Sequence, residues 1–270
     1  MLKTDASLID LFEEWLIHQE KSPNTINTYK SAIQKLGCWL SERNCTLEKL
    51  DHNQIQDYMN ELEEEGKSAS TIDKIYATIR VFAQFLDQPD IVDNIKRKEK
   101  EKNIYQTVPE FLKEDERSKL LKDVEKDKDI RNTTIVYMLL FTGIRLSELC
   151  NLDRSDIEIN GQIGTVTIKN LHGDKKRTVP IPKDALKVLK IYLETLPKGY
   201  EGPLFISKQN NRLTTRSIQY MLEKYDINPH KLRHTFCRDL IEKGLDIAVV
   251  AQLAGHNDIN ITKRYVIKGA

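Results

Sequence analysis

Apolar residues recur at every third or fourth position through most of the chain, the period of a helix packed along one side. Leu8, Leu11, Phe12, Trp15 and Leu16 form one stripe, and Ile26, Tyr29, Ile33, Leu36 and Leu40 a second. Ile55, Tyr58, Met59 and Leu62 form a third that Gly66 stops. A fourth runs through Ile72, Ile75, Ile79, Phe82 and Leu86, with Pro89 beyond its end. Ser22-Pro23 puts a capping hydroxyl before a proline at the first helical position, and Ser68 or Ser70 caps the fourth helix. Four such helices predict a small bundle. After residue 110 the pattern becomes mixed. Helical periods over about 114–125 and 131–142 give way to two strand-like runs, Gly164 to Ile168 and Arg177 to Ile181, read as a hairpin. Helices resume over about 183–196, 214–225, 231–243, 246–254 and 258–267. The expected fold class is mainly α with a small β-hairpin sheet in the C-terminal domain.

Charge divides the chain where the pattern does. The 270 residues carry 42 basic and 41 acidic groups, so the total points to no partner. Yet residues 1–95 hold about 9 basic and about 17 acidic groups, and residues 96–270 about 33 and about 24. The switch falls at Lys96-Arg97-Lys98-Glu99-Lys100-Glu101-Lys102, which has nothing apolar to bury. The expected organisation is therefore a helical domain at 1–95, a basic linker at 96–109 and a second domain at 110–270.

Several classes of protein are excluded at this level. The longest apolar run, Ile135 to Phe141, is far short of the roughly 20 residues of a membrane span. The start lacks the apolar core of a secretory signal, and four cysteines without a CxxC pair do not read as a disulfide framework. A cytoplasmic protein is expected. No phosphate-binding loop, dinucleotide fingerprint or zinc motif is present. His230 and His234 are four apart, but no third metal ligand is evident.

What stands out is a series of segments rich in Arg and His: Thr142-Gly143-Ile144-Arg145-Leu146-Ser147-Glu148-Leu149, then His230-Lys231-Leu232-Arg233-His234-Thr235-Phe236, then Leu253-Ala254-Gly255-His256, then Tyr265. Each alone is ordinary: a helix end, a cap, a core tyrosine. Together they suit a phosphodiester. Guanidinium groups hold two non-bridging oxygens through parallel N–H bonds, and these oxygens gain charge in the transition state. A side chain that attacks becomes covalently phosphorylated, with no metal or nucleotide required. A tyrosine hydroxyl, with an ordinary pKa near ~10, needs a base or a positive field to do so.

The order Arg145, His230-x-x-Arg233, His256, Tyr265, with Tyr265 nine positions after His256, resembles the tyrosine recombinases, or phage integrase family. The resemblance spans nearly the whole chain, including the Ser22-Pro23-Asn24-Thr25-Ile26-Asn27-Thr28-Tyr29 segment. It implies a core-binding domain and a catalytic domain that close on DNA as a C-shaped clamp. Arg145 and Arg233 would hold the scissile phosphate, His230 would assist proton transfer at the nucleophile, and His256 would stabilise the transition state. Tyr265 would attack to leave a 3′-phosphotyrosyl link and a free 5′-hydroxyl, without cofactor. The implied partners are double-stranded DNA carrying core recombination sites and three further copies of the chain, with accessory proteins at some sites. Integration, excision or resolution of a mobile element or replicon are the implied roles.

The family also has a hairpin lysine that protonates the leaving oxygen. Counting back from Arg177 reaches His172, counting forward from Ser155 reaches Lys169, and Lys175 is a third candidate; Lys169 is the choice made here. The alternative for Lys169, Lys175, Lys176 and Arg177 alike is contact with DNA phosphates. Five residues follow Tyr265, fewer than in many relatives, which leaves open how copies would associate. In the acidic first domain, Lys21, Lys30, Lys67, Lys74 and Arg80 are expected to share one DNA-facing surface. A type IB topoisomerase and a non-catalytic DNA-binding relative are the competing readings.

Overall fold

The computed structural model describes residues 5–97, 109–169 and 175–266, with the side chains of Lys175 and Lys176 left aside. The chain forms two compact units, Met1–Lys102 and Asn103–Ala270.

In the first unit, the four apolar stripes become α1 (Asp5–His18), α2 (Pro23–Ser41), α3 (His52–Glu64) and α4 (Ala69–Phe85). Local chemistry fixes where they start. Ser22 accepts from the Thr25 amide ahead of Pro23, Asp51 and Gln54 close a reciprocal capping box, and Ser68 rather than Ser70 caps α4 through the Thr71 amide. Phe12, Leu16, Ile33, Leu36 and Phe82 are fully buried between the helices. The edge-to-face pair of Phe12 and Phe82, centroids 5.0 Å apart, ties the first helix to the last.

Two of the five residues expected to share one basic surface of this unit, Lys30 and Lys67, are already paired with carboxylates. The Lys30 ammonium is engaged by Glu13, with Asp10 at 3.8 Å, both on α1. Lys74 and Arg80 are six residues apart on α4, which sets them about 120° apart around the helix. Sequence spacing shows sign, not facing, and here the local carboxylates claim Lys30 first.

The second unit is built on α5 (Glu114–Lys126), α6 (Ile130–Thr142), a short α7 (Leu146–Asn151), α8 (Lys183–Glu194), α9 (Thr215–Glu223), α10 (Pro229–Glu242), α11 (Ile247–Ala254) and α12 (Ile259–Lys263). Helix α6 is buried on nearly every side, hence its unbroken apolar run. The sheet has three antiparallel strands where two were expected: β1 (Ile157–Asn160), β2 (Ile163–Lys169) and β3 (Lys175–Ile181), in that order. The four-residue β1 is too short to show alternation. Val166, Ile168, Val179 and Ile181 turn one sheet face to the core shared with α6 and α8.

The last helix also departs from expectation. It ends at Lys263, and Tyr265 lies in the turn beyond it. The Tyr265 amide bonds back three residues to Thr262, and its carbonyl is taken by Arg238 of α10 at 2.8 Å. A tertiary hydrogen bond thus holds the carbonyl that a continuing helix would have used.

Candidate active site

The site is assembled from segments at and near the ends of helices. Helix α6 stops at Gly143, whose φ of 60° is left-handed and whose missing Cβ leaves room for the Phe236 ring; an added Cβ would lie 2.1 Å from it. The chain then turns so that Arg145 caps α7. The Arg145 amide and guanidinium both donate to Glu148, at 2.8 and 3.1 Å, and its other terminal nitrogen donates to the Gly255 carbonyl at 2.6 Å. Gly255 ends α11 in the left-handed region with φ of 70°.

Arg233 comes from α10, which Asn228 caps ahead of Pro229. Its Nη1 donates to the Gly143 carbonyl at 2.5 Å, while its buried Nη2 has no hydrogen-bond partner among the described residues. Burial, with Arg145 nearby, lowers the Arg233 pKa to about 10. A buried guanidinium with an unspent N–H is costly unless something charged arrives to accept it.

Tyr265 is 1% exposed. Its hydroxyl shares a 2.5 Å hydrogen bond with His234 Nδ1, and its ring stacks on His256 at 6.4 Å with planes 10° apart. Burial pushes the Tyr265 hydroxyl above its ordinary pKa; the Cys237 thiol adds to that, and Arg233 and Arg264 oppose it. Burial, aided by neighbouring cationic groups, also lowers His234 and His256 to about 4, so both are neutral at pH 7. Thr262 holds His256 through Nδ1 at 2.8 Å.

The predicted residues thus separate into two groups. Arg145, Arg233, His256 and Tyr265 come together on the ends of α6, α7, α10, α11 and α12. His230 is exposed at the start of α10, its ring 6.3 Å from His234, and it is His234 that meets the tyrosine. Lys169, at the end of β2, is ion-paired with the buried Asp156 at 2.5 Å, and that hydrogen bond raises its pKa. His172 lies outside the described residues.

Sequence reasoning missed three contributors. His234 and Glu148 stood inside the quoted segments, and Glu148 occupies the third position after Arg145, where a capping carboxylate belongs. For Arg177 the sequence offered DNA-phosphate contact as one alternative; its side chain is 5% exposed and forks onto Glu148 at 2.9 and 2.8 Å. Burial opposes ionisation of Glu148, but Arg177 and the Arg145 amide outweigh it and hold the carboxyl at about 2.

Three arginines around one carboxylate leave excess positive charge beside a tyrosine, the electrostatics of a site for a phosphodiester. Comparison with known proteins agrees. The model of the phage integrase family matches residues 110–269, and that of the phage integrase N-terminal SAM-like domain matches residues 9–88. Tyrosine recombinase XerD of Staphylococcus aureus is 30% identical over 283 residues, covering 94% of this chain and 92% of that protein. Tyrosine recombinase XerA of Thermococcus kodakarensis is 28% identical, covering 96% and 89%. Among solved structures, XerA recombinase aligns at 25% identity with a TM-score of 0.54 over 97% of this chain and 94% of its own. XerH recombinase bound to its difH substrate shares the fold at 19% identity and a TM-score of 0.73, covering 100% and 82%. The chain belongs to the phage integrase family. It is a site-specific tyrosine recombinase, an enzyme that cleaves and rejoins DNA.

Proposed function

We propose that Tyr265 is the nucleophile and that Arg145 and Arg233 bind the scissile phosphate. The observation that carries this is the buried Arg233 Nη2, which has no hydrogen-bond partner among the described residues and lies beside Arg145 and Tyr265. A non-bridging phosphate oxygen satisfies it, and the charge that builds there in the transition state strengthens the bond. Tyr265 Oη forms the new bond to phosphorus while the bond to the 5′-oxygen breaks. The phenolic proton leaves to a histidine, and the 5′-oxygen takes one from the hairpin lysine, for which Lys169 is our choice. Lys169 exchanges its Asp156 partner for the leaving oxygen at that step. His256, fixed through Nδ1, keeps Nε2 for a phosphate oxygen. His230, at the exposed start of α10, is the histidine through which a proton passes to solvent.

The energy of the broken bond is kept in the phosphotyrosyl link, so a 5′-hydroxyl from a partner duplex reverses the step without ATP. The substrate is double-stranded DNA with paired core sites, and exchange takes place in a homotetramer. The DNA complex of the XerH relative supports the first part. The tyrosine segment opens when DNA binds, since an oxygen on a side chain 1% exposed is otherwise out of a phosphate's reach.

Covalent trapping tests the assignment. Nicked duplexes drawn from DNA flanking the gene are mixed with protein in chelator and denatured in SDS. A protein–DNA adduct formed by the wild type and abolished in Tyr265→Phe is expected. Lys169→Ala is expected to lose cleavage of an ordinary phosphodiester and to recover it when the leaving oxygen is replaced by sulfur, which departs without a proton. An adduct that survives in Tyr265→Phe refutes the nucleophile, and no recovery with the sulfur substrate refutes Lys169.

A further inference from the structure

Arg177 spends its guanidinium wholly inside the protein. Nη1 and Nη2 fork onto the two oxygens of Glu148, and Nε donates to the Leu253 carbonyl at 2.9 Å. Gly255 makes room for it: a Cβ there would lie 2.6 Å from Arg177 Nη1. Of the two supports of Arg145, Arg177 holds Glu148 directly and reaches the Gly255 turn through the Leu253 carbonyl. Glu148 receives the Arg145 amide and Nη1, and the turn of Leu253 to Gly255 presents the carbonyl that receives Nη2. One arginine on β3 therefore fixes both supports of another on α7, and the second support adjoins His256.

We infer that Arg177 is a positioning residue for phosphate binding: through Glu148 and the Gly255 turn it sets the direction of the Arg145 guanidinium. This rests on the reading of Arg145 as a phosphate ligand. Lysine cannot replace Arg177, because an ammonium lacks the planar fork and the third N–H along its edge. Without the fork, Glu148 turns toward Arg145 and draws its guanidinium off the phosphate.

The test is single-turnover formation of the covalent adduct on two substrates, one with an ordinary scissile phosphodiester and one with a neutral methylphosphonate. Arg145 acts on the charge of a non-bridging oxygen, so a residue that works through it matters less where that charge is gone. Arg177→Met is expected to slow cleavage of the phosphodiester about 100-fold, the loss typical of a displaced catalytic group. On the methylphosphonate its rate is expected to approach that of the wild type, and Arg145→Ala is expected to show the same pattern. Arg177→Lys keeps a charge against Glu148 and carries the test if thermal melting shows Arg177→Met to be unfolded; it is expected to follow the same pattern with a smaller loss. An equal loss on both substrates makes Arg177 merely structural and overturns the proposal, as does an unimpaired rate on the phosphodiester. Failure of the wild type itself to form an adduct on the phosphodiester refutes the underlying reading of the site, and the proposal with it.

Discussion

At the scale of single residues, the site is a balance between burial and charge. Burial disfavours the charged forms of His234, His256 and Tyr265, and the arginines add to that for the histidines while opposing it for the tyrosine. A buried imidazole that must stay neutral ties stability to pH. Both histidines titrate near 4 in the folded protein against an ordinary value of 6.5, so between these values the unfolded chain binds more protons. Stability from these groups is therefore complete above about pH 6.5 and lost as pH falls toward 4. Urea denaturation is expected to show a lower midpoint at pH 5 than at pH 7, with the difference reduced in His256→Gln. An equal difference in that variant would assign the effect elsewhere. The sequence made Arg145, Arg233, His256 and Tyr265 legible because their order and spacing follow a chemical pattern. It passed over His234 because two histidines one helical turn apart look equivalent until the fold puts one against the tyrosine.

At the scale of elements, the residues assigned to the site sit on or near helix ends, where backbone polar groups and tight turns concentrate. Gly143 illustrates how closely these ends are fitted. Its positive φ and the Phe236 ring over its Cα leave no space for a side chain, and its carbonyl anchors Arg233. Gly143→Ala is expected to cost roughly 2–4 kcal/mol, from backbone strain together with overpacking. It should also slow cleavage beyond what that stability loss explains, because Arg233 moves with the carbonyl. Chemical denaturation and single-turnover cleavage below the melting range would check both; a stability loss with an unchanged rate would separate the turn from Arg233. Helix positions were readable along the chain since capping hydroxyls and carboxylates act over three or four residues. The end of α12 was not, because the Tyr265 carbonyl is claimed by Arg238, 27 positions away.

At the scale of the molecule, two units each bury a core of their own. Among the described residues no helix is long and apolar enough to cross a membrane. The acidic balance of the first 95 residues and the basic balance of the remainder put most of the groups able to meet phosphate in the second unit and the segment before it. Affinity for DNA is expected to fall linearly with salt on logarithmic axes, as counterions are released. Gel-shift titrations across salt concentrations measure that slope. Lys30→Ala should leave the slope almost unchanged, since the Lys30 ammonium is already committed to Glu13; a slope lowered by a full contact would return Lys30 to the DNA-facing surface.

The sequence by itself determined the class of chemistry, the helical periods, the hairpin and four of the residues that meet at the site. These depend on local physics and on the fixed donor geometry of Arg and His, both of which are carried by residue type and spacing. Only the tertiary structure decided what those residues touch. It turned Arg177 inward onto Glu148, tied Lys169 to Asp156 and gave Tyr265 to His234 rather than His230. In each case the outcome is a competition between partners distant in the chain, decided by burial and by which group arrives with the right geometry.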